Sequence, residues 1–235
     1  MAEAKAPSGG AHGGTKSGAK SGAKKASAMK GEAARKTTRA GASAQGARSE
    51  IAFTGHLVTV RLQPVTRPDG REALFEVVEH PDAVAIVAVR YEPTAGGTAR
   101  PLVALVHQPR PVIGRDDSLE IPAGLVDAGE RGNPEHAAAR ELREETGYEA
   151  GRLRLLTKEY SSPGFTDEAL FIYLATELRP AAGDHTPDPS EIDKLDWVPL
   201  AEAMHLCRAG RMDDSKTLIG LWLARDELMA DAFGR

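Results

Sequence analysis

Residues 123–148 read AGLVDAGERGNPEHAAARELREETGY, and the fold turns on how they are read. Asn133 suits an N-cap, and Pro134 suits the first helical position, where its missing N–H costs nothing. Gly147 then supplies a left-handed stop. The spacing predicts one helix of about four turns between these signals. Near its C-terminal end stand Arg140, Glu141, Leu142, Arg143, Glu144 and Glu145. Glu141 and Glu145 are four apart and share one face, with Glu144 flanking them. Three carboxylates beside the negative end of a helix dipole repel both the dipole and one another. Arg140 and Arg143 could neutralise them, as on any solvated, salt-bridged face. A hard divalent cation would do the same, since carboxylate oxygens are the ligands Mg²⁺ and Mn²⁺ prefer.

The residues before the helix favour the cation. Gly124, five residues, Glu130, then Arg140, Glu141, Leu142, Glu144, Glu145 and Gly147 resemble the Nudix box, G-x5-E-x7-R-E-U-x-E-E-x-G-U with U aliphatic. Two departures stand out: nine residues rather than seven separate Glu130 from Arg140, and Tyr148 replaces the last aliphatic. A longer loop through Gly132 and Asn133 leaves the carboxylate spacing intact. The resemblance implies an α/β/α sandwich that hydrolyses a nucleoside diphosphate linked to another group. It makes Glu141, Glu144, Glu145 and the carbonyl of Ala123 the metal ligands, with Glu144 counted also among the catalytic residues. Two or three Mg²⁺ or Mn²⁺ ions per site are implied. Gly124, Glu130, Arg140 and Gly147 come out as structural, Arg140 and Glu130 as an ion pair tying loop to helix.

A general base must come within hydrogen-bond reach of the attacking water, and a mobile loop can deliver one. Tyr160-Ser161-Ser162-Pro163-Gly164-Phe165-Thr166-Asp167-Glu168 is such a loop. It resembles the SPGF-x-DE segment of the ADP-ribose pyrophosphatase branch, which implies Glu168 as base, with Asp167 its rival, and places Gly164 and Phe165 at the substrate. Val106-His107-Gln108-Pro109-Arg110 is similar to that branch's VRQYR strand end, implying that Arg110 contacts phosphate. Leu119–Gly124 is similar to its LELPAG. The resemblance spans roughly residues 73–225. Phe75 departs from it, standing where the branch often has arginine. Phe53 or Phe75 could stack on adenine, or simply pack. His80 and His107 lack metal-ligand spacing and read as structural.

Residues 1–50 have no Val, Leu, Ile or aromatic side chain, and carry ten Lys or Arg against three acids. Such a segment cannot bury enough apolar surface to offset its ordering entropy and is expected to be disordered. Its local charge of +7 leaves −11 on residues 51–235. A basic tail on an acidic body could touch nucleic acid, or could simply be a solubilising extension, the reading preferred here. It lacks the apolar core of a secretory signal, and no run approaches a membrane span. The single Cys207 fits a reducing cytoplasm and, beside Met204 and Leu206, reads as a buried structural thiol.

The remaining chain reads as α+β: residues 51–80 a β hairpin, 81–235 the hydrolase domain with a mixed sheet. Strands are expected at 52–62, 73–79, Ala83–Val89, Leu102–Val106, Ser118–Pro122, Leu153–Leu156, Ala169–Thr176 and Asp193–Val198. An acidic, Pro-rich loop at Arg179–Glu191 precedes the last of them. Helices are expected at Leu200–Ala209 and Ser215–Met229, the latter capped by Asp214. An isolated hairpin is marginal in water, so this one must pack on the body or on a second subunit. The branch resemblance implies a homodimer in which the hairpin walls the nucleotide pocket and Phe53 meets adenine. The expected activity is cleavage of ADP-ribose to AMP and ribose 5-phosphate. Its alternatives are another nucleotide sugar such as GDP-mannose, a dinucleoside polyphosphate, or a non-catalytic ADP-ribose sensor with a nucleic-acid-binding tail.

Overall fold

The computed structural model describes residues 48–182 and 194–232, so the basic tail and most of the acidic loop lie outside the described residues. The run Ala83–Val89 is apolar without alternation, and all seven residues are buried. It forms the first part of β4 (Ala83–Pro93), the central strand of the main sheet. Val84, Ile86 and Ala88 face one core; Ala83, Ala85, Val87 and Val89 face the other. A strand buried on both sides is what a three-layer sandwich requires.

Around it lie β5 (Ala99–Arg110), β6 (Arg115–Glu120), β7 (Ala123–Leu125), β8 (Tyr148–Tyr160), β9 (Ala169–Pro180) and β10 (Lys194–Pro199). The order is β10-β5-β4-β9-β8, with β6 added on β5 and β7 on β4. Only β4 and β9 run parallel, which makes the sheet mixed. Helix α1 (Pro134–Thr146) covers one face through Ala137, Ala138 and Leu142. Helices α2 (Leu200–Arg208) and α3 (Ser215–Ala232) cover the other. Gly220 lets α3 sit close, since a Cβ there would meet Ile121 at 2.9 Å and Val87 at 3.0 Å. Cys207 is buried in α2, and burial raises its thiol pKa.

Several bounds differ from expectation. The first strand divides into β1 (Glu50–Thr54) and β2 (Thr59–Thr66), because Gly55 turns the chain, its N–H bonding Val58 O at 2.8 Å. With β3 (Glu72–Glu79) they form a three-stranded antiparallel sheet, not a two-stranded hairpin. Its second turn closes at Arg67-Pro68-Asp69-Gly70, where Gly70 takes φ 80°. Asn133 precedes α1, but its side chain makes no capping bond. Gly147 ends the helix at φ 72°, its N–H reaching Arg143 O at 3.0 Å. Asp214 caps α3, accepting from Thr217 N at 3.0 Å and Thr217 Oγ1 at 2.6 Å.

Candidate active site

The C-terminal half of α1 and the opposite edge of the sheet enclose a cleft of about 790 Å³. On the α1 wall, Glu141 and Glu145 are buried, while the Glu144 side chain is about half exposed. Packing of Leu142 into the core turns this face sideways toward β7. Gly124 on β7 makes room for it: a Cβ there would stand 2.1 Å from the Glu141 carboxyl. Glu145 Oε2 accepts the N–H of Ala123 at 3.1 Å.

Arg140 ties this wall together. Its Nη2 donates to Glu130 Oε2 at 3.0 Å and to Leu125 O at 3.0 Å. Its Nη1 donates to Glu141 Oε1 at 2.7 Å and Glu144 Oε2 at 2.9 Å. Glu130 has its carboxyl lowered to about 2, first by Arg140 and then by His136 and the Asp127 N–H. Among the described residues no three His, Cys, Asp or Glu side chains are drawn into a metal-type cluster, because Glu141 and Glu144 turn onto Arg140 and Glu145 onto Ala123. The donor chemistry still suits a hard cation: three carboxylates and the Ala123 carbonyl border one cleft, and all are oxygen.

The facing wall comes from distant segments. Arg110, half exposed at the end of β5, donates to buried Glu120 through Nε at 2.9 Å and Nη2 at 2.7 Å. Lys216, in the first turn of α3, pairs with the same carboxylate and, at 2.9 Å, with Asp214. Burial pushes the Glu120 pKa up, but Arg110 and Lys216 outweigh it and hold the group at about 2. Nη2 also meets Gln108 at 2.5 Å, so among the described residues Nη1 is the edge of Arg110 not engaged by these bonds.

Glu168 lines the same cleft from the 161–168 loop. Its Oε2 accepts from Ser161 Oγ at 2.5 Å, and its Oε1 lies 3.2 Å from His80 Nδ1. Asp167 is turned away, accepting the His80 N–H at 3.0 Å. Behind them Glu159 keeps one buried oxygen without a hydrogen-bond partner among the described residues, and burial, then Asp214 and Glu168, raise its pKa.

Thus Ala123, Gly124, Arg110, Arg140, Glu141, Glu144, Glu145 and Glu168 border one cleft. Phe53, Gly164 and Phe165 do not: Phe53 and Phe165 are more than half exposed, and the Phe165 carbonyl is bound by Val78 N at 2.7 Å. The N-terminal sheet contributes Leu57 instead. Lys216, Glu120 and Ser161 were not singled out from sequence as site residues; Asp214 was expected only as a helix cap and His80 only as structural, yet both line the cleft. Lys216 did carry a signal, since a cation in the first turn of a helix opposes the dipole and needs an anion nearby.

Residues 79–219 match the family model of the NUDIX domain. The chain belongs to the Nudix hydrolase family. It is 36% identical over 168 residues to an ADP-ribose pyrophosphatase of Bacillus subtilis, covering 72% of this chain and 85% of the relative. An ADP-ribose pyrophosphatase of Mycobacterium tuberculosis is 37% identical over 174 residues, covering 74% and 79%. A solved ADP compounds hydrolase superposes with TM-score 0.65 at 24% identity, covering 78% of this chain and 93% of that one, and so shares the fold of this Nudix hydrolase. No helix among the described residues is long and apolar enough to cross a membrane.

Proposed function

We propose that this Nudix hydrolase cleaves the pyrophosphate bond of ADP-ribose, giving AMP and ribose 5-phosphate. One observation carries the reading: a single cleft sets the α1 carboxylates against Arg110 and Glu168. Similarity to two ADP-ribose pyrophosphatases supports the substrate class.

Glu141, Glu144, Glu145 and the Ala123 carbonyl would hold two or three Mg²⁺ or Mn²⁺ ions, which when bound supply charge neutralisation and a more acidic water. Glu168 takes the proton of the attacking water, with Ser161 bonded to one of its oxygens and the His80 ring beside the other. Water oxygen adds to one phosphorus, the bridging P–O bond breaks, and the bridging oxygen leaves with the other phosphate. Arg110, clamped by Glu120, offers its remaining Nη1 to the phosphates. Arg140 and Glu130 hold the loop on the helix, while Gly124 and Gly147 give the carboxylates room and end their helix. Gly164 and Phe165, outside the cleft here, would reach the substrate only through movement of the 161–168 loop.

Chromatography of products from a panel of ADP-ribose, GDP-mannose and dinucleoside polyphosphates tests this. AMP and ribose 5-phosphate formed fastest from ADP-ribose is the expected result; faster turnover of GDP-mannose moves the substrate assignment. Tight ADP-ribose binding without turnover would make the protein a sensor.

The proposed organisation is a dispensable tail at 1–50, a dimerising segment at 51–80 and a hydrolase domain at 81–235, working in the cytoplasm. Ile51, Phe53, Leu74 and Phe75 are all at least 41% exposed, an apolar surface that a second copy of the sheet would cover. In such a homodimer Phe53 reaches the partner's adenine pocket. Light scattering on a chain beginning at Ser49 is expected to give a dimer of unchanged activity. A fully active monomer overturns both the dimer and its share in the site.

A further inference from the structure

His80 follows β3 directly and lines the cleft. Backbone bonds fix its place. Val78 N–H donates to Phe165 O at 2.7 Å, Val78 O accepts from Thr166 Oγ1 at 2.9 Å, and His80 N–H donates to Asp167 Oδ1 at 3.0 Å. The end of β3 and the loop that carries Glu168 therefore move together.

The imidazole is held equally firmly, its side chain only 16% exposed. Its Nδ1 lies 2.7 Å from Pro81 O and 3.2 Å from Glu168 Oε1. Both neighbours are acceptors, so Nδ1 carries the proton: a lone pair there would face two others. Pro81 O takes that proton as its hydrogen bond, and Glu168 Oε1 lies against the same edge of the ring, while Ser161 Oγ–H donates to Oε2.

We propose that His80 is a positioning residue for the general base: the edge of its ring sets the direction in which Glu168 presents its carboxylate to the attacking water. This rests on the reading of Glu168 as base. Other charged groups surround the pair. Glu159 approaches from β8, and Asp214 and Lys216 from the start of α3. Asp82, before β4, accepts the Ala169 N–H at 3.2 Å, and Asp167 is occupied by the His80 backbone.

The test uses the full chain with ADP-ribose and the variants His80→Leu, His80→Asn, Glu168→Gln and His80→Leu/Glu168→Gln. The Asn amide nitrogen falls near the place of Nδ1 and keeps a donor. His80→Leu is expected to lower kcat by about tenfold to a hundredfold with KM within about twofold, the scale of losing an outer partner of a catalytic group. His80→Asn restores most of kcat. In the double variant His80→Leu adds no further loss to Glu168→Gln. Failure of Asn to rescue at wild-type melting temperature, or additive losses in the double variant, overturns the proposal. Where His80→Leu fails to fold, the Asn variant and its double with Glu168→Gln still decide it. Glu168→Gln at the wild-type rate removes instead the reading of Glu168 as base, and the proposal with it.

Discussion

The two walls of the cleft are built in opposite ways. The α1 wall takes its carboxylates from five consecutive residues, and one arginine, Arg140, reaches Glu130, Glu141 and Glu144 together. The facing wall draws on His80, Arg110, Glu120, Glu168, Asp214 and Lys216, which meet only because the ends of β3, β5 and β6, the 161–168 loop and the start of α3 come together. One wall is a property of a helix and the other a property of the topology. They also differ in charge. The first gathers carboxylates around one guanidinium, whereas the second buries one carboxylate between two cations. A pyrophosphate held between them would find positive charge on one side and cation-binding oxygens on the other.

The largest effect is expected on the α1 wall. Glu145→Gln removes one of the charges proposed to hold the cations and leaves the amide side chain to face Ala123 N–H, so the fold should survive. Turnover should fall at least about a hundredfold, the scale of losing one group that stabilises developing charge. Rates near wild type at saturating Mg²⁺, with an unchanged melting curve, would show that this wall does not carry the metal chemistry.

The same contrast explains what could be read in advance. Asn133-Pro134 and Gly147 bracket α1 within a residue of its observed ends, because caps and a repeating face are local signals. The carboxylates follow at once from their spacing. Strand β8 was expected only at Leu153–Leu156 yet runs from Tyr148 to Tyr160. Its register slips between Leu155 and Thr157, so the alternation that marks a strand changes face midway. Leu57 and Val58 look like strand residues, but Gly55 spends them on a turn, and Leu57 ends in the cleft. Glu120 sits in a stretch whose neighbours are apolar. Only the approach of α3, nearly a hundred residues later, gives it Lys216. No local pattern announces that pairing.

The facing wall should show a smaller effect, and on stability as much as on rate. Glu120→Gln leaves Arg110 and Lys216 without their shared anion. The expected loss is about 2–3 kcal/mol, under the range for a fully buried pair because Arg110 stays half exposed and the amide oxygen still accepts. The sign with pH follows from the depressed pKa. Glu120 titrates at about 2 in the fold against 4.5 ordinarily. Its contribution is therefore complete above the ordinary value and disappears as pH falls through about 2. Urea melts of wild type and variant should converge as pH drops from 5 toward 2. A difference that stays constant over that range would mean the pair contributes nothing ionic.

The smallest effects belong to the residues that start the two helices, and they separate the walls once more. Asp214 accepts from Thr217 N and Oγ1 and from Lys216 Nζ, so it both caps α3 and places the lysine. Asp214→Ala should cost about 1–2 kcal/mol, the upper part of the range for losing an N-cap. Asn133 occupies the equivalent position before α1 but makes no side-chain capping bond; the turn is closed by backbone alone, Asn133 N to Glu130 O at 2.8 Å and His136 N to Asn133 O at 3.1 Å. At φ −135° its backbone is open to alanine. Asn133→Ala should therefore cost no more than about 0.5 kcal/mol and leave kcat unchanged, because Pro134, the Arg140–Glu130 pair and the packing of Leu142 already fix where α1 begins. Paired urea denaturation measures both substitutions. Equal losses would mean that the Asn133 side chain caps α1 in solution, and that this wall depends on its loop as closely as the other depends on Asp214.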